Sequence, residues 1–311
     1  MKKLWLIIFC VGFVSLANAQ IHQFRGPDRD GKFPESNLLK EWPEGGPELL
    51  LEFEGIGEGW SSVISDGKRI YASGKAGEMD QLTCIDFEGK MLWQVEYGEG
   101  WNESYPSTRG TPTVEGDRIY IISGVGELVC LNAGTGDIHW KINVDKDYQA
   151  EWHRWGVSES PLIVDNKVIA SPASPMAAFV AFDKMTGELL WQSESLGGPR
   201  SYASPTIYQY NDFRFILAVT GRHLIALEPE TGKIVWSFNY YEMDDWSFQT
   251  GLIWPNTPLF KEDEIFLTKG YDFPAVMVKT DSTGTSAKAK FVDQTFDNHH
   301  GGVVLVDDHI Y

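Results

Sequence analysis

Cysteine is scarce in this chain of 311 residues: there are three, Cys10, Cys84 and Cys130. No two are adjacent, and neither Cys-x-x-Cys nor Cys-x-x-Cys-His occurs. That excludes a disulfide-stapled scaffold, a cysteine-type metal site and a covalently attached haem. Basic side chains are outnumbered, 26 Lys and Arg against 44 Asp and Glu, for a net charge of −18. An acidic surface of that size argues against nucleic acid or anionic membrane as partners and suits cations or basic proteins. After Leu16 no apolar run is long enough to span a bilayer. Gly-x-Ser-x-Gly, phosphate-loop and His-Glu-x-x-His motifs are absent too.

What the chain does have is repetition. Ala178–Trp191 (AFVAFDKMTGELLW) reads as a strand, a tight turn at Asp183, Thr186 and Gly187, and a second strand. Leu82–Trp93, Leu128–Trp140 and Leu224–Trp236 match it, their tryptophans spaced by 47, 51 and 45 residues. Val276–Lys290 keeps Thr283-Gly284 and loses the tryptophan. A second hairpin motif precedes each copy: Ser61–Tyr71, Thr111–Tyr120, Ser160–Ile169, Ser204–Ile216 and Thr257–Phe266, with a sixth at Gly301–Tyr311. Four short strands in each unit of about 45–50 residues are the period of a β-propeller blade. The expected fold is therefore all-β: four-stranded antiparallel blades, five complete and the start of a sixth. Cys84 and Cys130 occupy the place taken by Ala181 and Ala226, which predicts small, buried, unlinked side chains.

Three regions are expected. Residues 1–19 read as a signal peptide: Lys2-Lys3, an apolar core over Leu4–Leu16, and Ala17-Asn18-Ala19 as the cleavage site. Export to the periplasm or outside the cell follows; Cys10, preceded by Phe9, is a poor lipoprotein site. Losing Lys2 and Lys3 takes the net charge to −20. Residues 20–47 are a lead-in wrapped on the propeller surface, with an arginine loop in Arg25–Arg29 as the alternative. Residues 48–311 are the propeller. Within it Glu48–Glu54 resembles an outer strand, whose partners are expected from the far end of the chain. On that reading the chain is a fragment of a seven- or eight-bladed ring, short by about two blades.

The pattern Ala181-x-Asp183-x-x-Thr186-Gly187-Glu188-x-x-Trp191 resembles the pyrroloquinoline-quinone-like propeller repeat family, over residues 48–311. FRGPDRDG (24–31), EWPEGGP (41–47), WGVSESPLI (155–163) and NHHGGVV (298–304) look like a secreted subgroup of it. The resemblance implies tryptophans docked between blades. It implies one of two roles: a quinoprotein dehydrogenase of alcohols or sugars, using the quinone and Ca²⁺, or a non-enzymatic scaffold of outer-membrane assembly that takes extended protein segments. The paired-cysteine disulfide of many such dehydrogenases is missing here.

In a propeller the loops entering each inner strand gather at one axial mouth. They carry Glu58 and Trp60; Trp101, Glu103, Tyr105 and Arg109; Trp152, His153, Arg154, Trp155 and Glu159; Arg200 and Tyr202; Asp244, Asp245, Trp246 and Gln249; and Asp297, Asn298, His299 and His300. Aromatic walls with a few charges suit a small-ligand pocket, or a plugged channel with paired charges. Arg109, Trp155, Glu159, Trp60 and Trp246 are the candidates for cofactor binding. Glu103, Asn298, His299 and His300 are the candidates for metal, although adjacent histidines on a strand point apart. Asp245 and Asp297 are the candidates for a dehydrogenase base. The reading preferred from the residues is a binding or scaffold module, with an enzyme as the alternative.

Overall fold

The computed structural model describes residues 20–150, 154–243 and 254–311. The signal-peptide segment lies outside the described residues. Five four-stranded antiparallel units follow one another along the chain, each with its strands in sequence order. Blade 1 is β2 (Ile64–Ser65), β3 (Ile70–Ala76), β4 (Met79–Ile85) and β5 (Met91–Glu99). Blade 2 is β6 (Thr113–Glu115), β7 (Arg118–Ile122), β8 (Glu127–Asn132) and β9 (Ile138–Asn143), followed by the one-turn α1 (Val144–Asp147). Blade 3 is β10 (Leu162–Val164), β11 (Lys167–Ala170), β12 (Val180–Asp183) and β13 (Leu189–Gln192). Blade 4 is β14 (Thr206–Tyr210), β15 (Phe213–Val219), β16 (His223–Leu227) and β17 (Ile234–Asn239). Blade 5 is β18 (Leu259–Lys261), β19 (Glu264–Leu267), β20 (Ala275–Thr280) and β21 (Ala287–Asp293). The hairpin β22 (Leu305–Val306) and β23 (His309–Ile310) begins a sixth unit.

The repeated sequence has a local cause in each blade. In blades 2 and 3 an Asn or Asp side chain closes the turn: Asn132 Oδ1 accepts from the Gly134 and Thr135 amides, and Asp183 Oδ1 from those of Met185 and Thr186; in blade 4 Glu228 stands there and accepts from the Thr231 hydroxyl. The glycine that follows is left-handed, with φ of 78° at Gly136, 76° at Gly187 and 71° at Gly232. The register then slips by a bulge and sets each tryptophan opposite a small residue. The pairs are Cys84 with Trp93, Cys130 with Trp140, Ala181 with Trp191 and Ala226 with Trp236. Both described cysteines are buried and free. The middle strands are buried, while the outer strands leave Met91, Leu92, Leu189 and Leu190 exposed.

Three tryptophans dock on the next blade in the same way. Trp93 Nε1 donates to the Ala133 carbonyl, Trp140 Nε1 to that of Lys184 and Trp191 Nε1 to that of Pro229. Each ring covers the turn glycine of the neighbour, Gly136, Gly187 or Gly232. Trp236 departs from the pattern. Its Nε1 is buried without a hydrogen-bond partner among the described residues, and Gly284 of blade 5 packs on Phe213 instead. Blade 5 lacks a tryptophan of its own, and β21 carries Lys288 and Lys290 there. Residues 287–290 are part of that outer strand.

Two expectations at the beginning of the chain are overturned. Glu48–Glu54 forms no strand. Leu49 and Leu50 are exposed, and the chain just beyond is held by glutamine side chains of blade 1, Gln94 on Gly55 and Gln81 on Ile56. Side-chain amides there replace the backbone ladder a strand requires. The lead-in is not simply wrapped on the surface either. β1 (Ile21–His22) pairs with β6 as a fifth strand of blade 2, and Arg29 is 2% exposed. β6 begins its blade, so its free edge offers the N–H and C=O groups that β1 satisfies.

Candidate functional site

The loops entering the inner strands are stitched together by Ser and Thr hydroxyls. Thr111 Oγ1 accepts from the Ser62 amide at 3.0 Å, Ser160 Oγ from that of Thr111 at 3.2 Å, and Ser204 Oγ from that of Ser160 at 2.8 Å. Thr257 Oγ1 then donates to the Ser204 carbonyl at 3.3 Å. The small polar residue opening the hairpin motif of blades 2 to 5 is thus a blade-to-blade tie, and the loops of blades 1 to 5 meet.

On this frame the structure brings together part of the predicted mouth. Gly59 bridges Thr108, and the Trp60 amide donates to the Thr108 carbonyl at 2.9 Å. Trp60 and Tyr105 both stand well out into solvent, 76% and 72% exposed. Arg109 donates to the carbonyls of Ser107 and Tyr105. Burial lowers its pKa, with the Tyr202 hydroxyl and Asp80 opposing. Trp155 lies 6.0 Å from Tyr202, centroid to centroid, and Arg154 sits over its ring at 5.6 Å. The Trp155 Nε1 is buried with no partner among the described residues. Burial pushes the Tyr202 phenol up to about 12.

Glu159 lies deeper and is 1% exposed. Its Oε1 accepts from the Ser171 amide at 2.8 Å, and its Oε2 has no partner among the described residues. Burial raises its pKa to about 7, with Arg200 and Arg29 opposing and Asp145 assisting. Arg200 is fixed by two hydrogen bonds to Asp145, at 2.9 and 2.6 Å, and a further one to the Ser171 carbonyl. Asp145 and Arg29 are the members of this cluster that motif reading missed as partners. The only signal for either was the charge density of FRGPDRDG.

The remaining candidates do not join it. Glu103 is exposed. Asn298 turns its amide onto the Gly301 carbonyl. His299 Nδ1 is 2.6 Å from the Lys269 carbonyl, and its ring packs 4.1 Å from both Tyr271 and His300. Burial lowers the His299 pKa. Asp297 accepts from the Asp272 amide at 3.3 Å. Asp244, Asp245, Trp246, Gln249, Trp152 and His153 lie outside the described residues. Lys269 is a second feature the motifs did not show. Its ammonium lies 3.9 Å from the Phe273 ring centroid and donates to the Tyr241 hydroxyl, and burial brings its pKa down to about 7.

A Ca²⁺ ion takes six to eight oxygens and a planar quinone needs cationic and aromatic partners around it. Among the described residues no three His, Cys, Asp or Glu side chains gather to hold a metal. Glu159, buried beside Asp145, is engaged with Ser171 and faces two arginines. Arg109 and Trp155 supply a cation and an aromatic face, and no set of carboxylates for a calcium ion stands beside them among the described residues.

Known proteins resemble the chain in two ways. Polyvinylalcohol dehydrogenase of a Pseudomonas species is 25% identical over 156 residues, covering 44% of this chain and 24% of that protein. The same-named protein of Sphingopyxis is 26% identical over 160 residues, 44% of this chain and 23% of that one. The chain thus spans about a quarter of the length of these relatives. Among solved structures, BamB from Moraxella catarrhalis superposes with a TM-score of 0.55 at 17% identity, over 80% of this chain and 68% of that one. That likeness is one of fold. The family model described as outer membrane protein assembly factor BamB matches residues 78–311. With three quarters of its length accounted for in this way, and four of its five blades built on the same tryptophan-and-glycine hairpin, the chain belongs to that family of pyrroloquinoline-quinone-like propellers.

Proposed function

We propose that the protein is an exported, non-catalytic binding module, whose axial mouth at Trp60, Tyr105, Arg109 and Trp155 takes a small polar ligand or an extended protein segment. One observation carries the reading. Two large aromatic side chains stand exposed on bridged loops beside a half-buried arginine, while the axial carboxylate behind them is tied to structure. Exposed aromatics with a cation on the same loops are recognition chemistry. A carboxylate surrounded by two arginines and an amide is poorly placed to act as a base. The apolar run after Lys2-Lys3 and Ala17-Asn18-Ala19 supports export. The family's name supports a protein partner at an outer membrane.

The second reading is a quinone-dependent alcohol dehydrogenase, favoured by the stretch similar to polyvinylalcohol dehydrogenases. One experiment separates the two. The full-length protein is mixed with pyrroloquinoline quinone and Ca²⁺, passed through gel filtration, and assayed for dye reduction with polyvinyl alcohol and simple alcohols. Our reading expects no retained quinone absorbance and no turnover. Retention with turnover would establish the dehydrogenase. For the binding mouth, pull-down of unfolded outer-membrane chains by the protein is expected to weaken in Trp60→Ala and Arg109→Ala. Equal capture by both variants would refute this mouth.

A further inference from the structure

Arg29 is among the largest fully buried side chains of the protein, yet it comes from the lead-in, not from a blade. Its Nη1 donates to the carbonyls of Ser160 and Pro205, both at 3.0 Å. Its Nη2 donates to the Pro161 carbonyl and, at 3.4 Å, to Thr113 Oγ1. Its Nε donates to Gln23 Oε1 at 2.8 Å. The acceptors come from blades 2, 3 and 4 and from the lead-in itself. Three are carbonyls at the Ser-Pro steps that open blades 3 and 4. Proline has no N–H, so the ladder begins late there and these carbonyls are left over. Glu159, next in the chain to Ser160, adds negative charge; it faces Arg29, Arg200, Asp145 and the Ser171 amide, and its Oε2 is unpartnered among the described residues.

We propose that this axial cup is a guanidinium-recognition site, and that the lead-in is a tethered ligand that fills it in cis with Arg29. Oxygen acceptors that meet a flat cation on each of its nitrogens match a guanidinium, which has five donors in a fixed fork; an ammonium is a point charge with three. The tether explains why a cation stays in so dry a place. β1 pairs with β6 just ahead of Arg29 in the chain, and Arg25 holds the loop by bonding the Arg29 and Asp30 carbonyls and the Val303 carbonyl of the sixth unit. Intramolecular presentation raises the effective concentration of the arginine at the cup. None of the acceptors of Arg29 belongs to Trp60, Tyr105, Arg109 or Trp155, so failure of the cup leaves the reading of the mouth untouched.

The test is chemical rescue in the full chain. Arg29→Ala is expected to melt lower than the parent, and methylguanidinium at pH 8 to restore the midpoint saturably, with half-effect at about 10 mM, as suits so small a ligand. Methylammonium and urea at the same concentrations should not restore it, and the parent should not respond. Arg29→Lys should recover little. Adding Glu159→Gln to Arg29→Ala should raise the half-effective concentration about tenfold. Equal effects of methylguanidinium and methylammonium, or full recovery in Arg29→Lys, would overturn the proposal. If Arg29→Ala does not fold alone, its refolding yield is read instead. A several-fold gain with methylguanidinium supports the site and an unchanged yield refutes it.

Discussion

Trp191 of blade 3 lies directly on Gly232 of blade 4. The indole N–H reaches the Pro229 carbonyl at 3.0 Å, and a Cβ added at Gly232 would fall 2.2 Å from the ring. The glycine is also left-handed, φ 71°. One hydrogen atom at this position therefore serves the turn and the blade interface together.

Gly232→Ala is expected to destabilise the protein by about 2–4 kcal/mol, the sum of left-handed strain and overpacking. Gly77, with φ 60° and nothing within 4 Å of its Cβ position, is the control. Alanine there should cost about 1–2 kcal/mol from the backbone alone. Urea unfolding of the two variants measures the difference.

The indole hydrogen bond separates Trp140 from Trp236. Trp140→Phe loses the bond to the Lys184 carbonyl, and Trp236→Phe loses none among the described residues. Trp140→Phe should be the more destabilised by about 1 kcal/mol. Equal losses in chemical denaturation would mean that ring packing alone holds the blades.

Glu159 makes stability depend on pH. Its carboxyl titrates at about 7 in the fold and has an ordinary value of 4.5, so between these the folded state holds the extra proton. The stabilisation is complete below the unfolded value and is lost as pH rises towards 7, by an amount on the order of 3 kcal/mol. Glu159→Gln cannot titrate. The stability difference between parent and variant should therefore drift against the parent from pH 4.5 to pH 7 and flatten above. A difference independent of pH over that range would show that the carboxyl is not held neutral.

Arg200 and Asp145 are a buried pair, their side chains 6% and 2% exposed. Asp145→Asn or Arg200→Ala alone leaves a buried charge without its partner and should cost about 3–5 kcal/mol. Replacing both with apolar residues of similar volume should cost less than the sum of the singles. Thermal melts of the two singles and the double give the coupling.

Much of this architecture was readable before any coordinates. The four-strand period, the Asx-closed turn and the small residue facing each tryptophan are local rules repeated often enough to exclude chance. The pairing of Cys84 with Trp93 follows from the same register as that of Ala181 with Trp191. The site was less legible. Arg109, Trp155 and Trp60 stand on neighbouring loops, while Asn298 and His299 bond nearby backbone carbonyls. A residue type that suits a metal carries no record of which neighbour has already taken its lone pairs.

The sequence alone determined the repeat, the blade boundaries and the burial of Cys84 and Cys130, because each depends on residues within one hairpin or on the period between hairpins. Only the tertiary structure decided that Glu48–Glu54 is no strand, that Ile21–His22 is one, and that Arg29 is buried among the opening residues of blades 2, 3 and 4. Those outcomes turn on which backbone groups other blades leave unpaired. That supply is set by the assembled blades, and no local pattern in the lead-in encodes it.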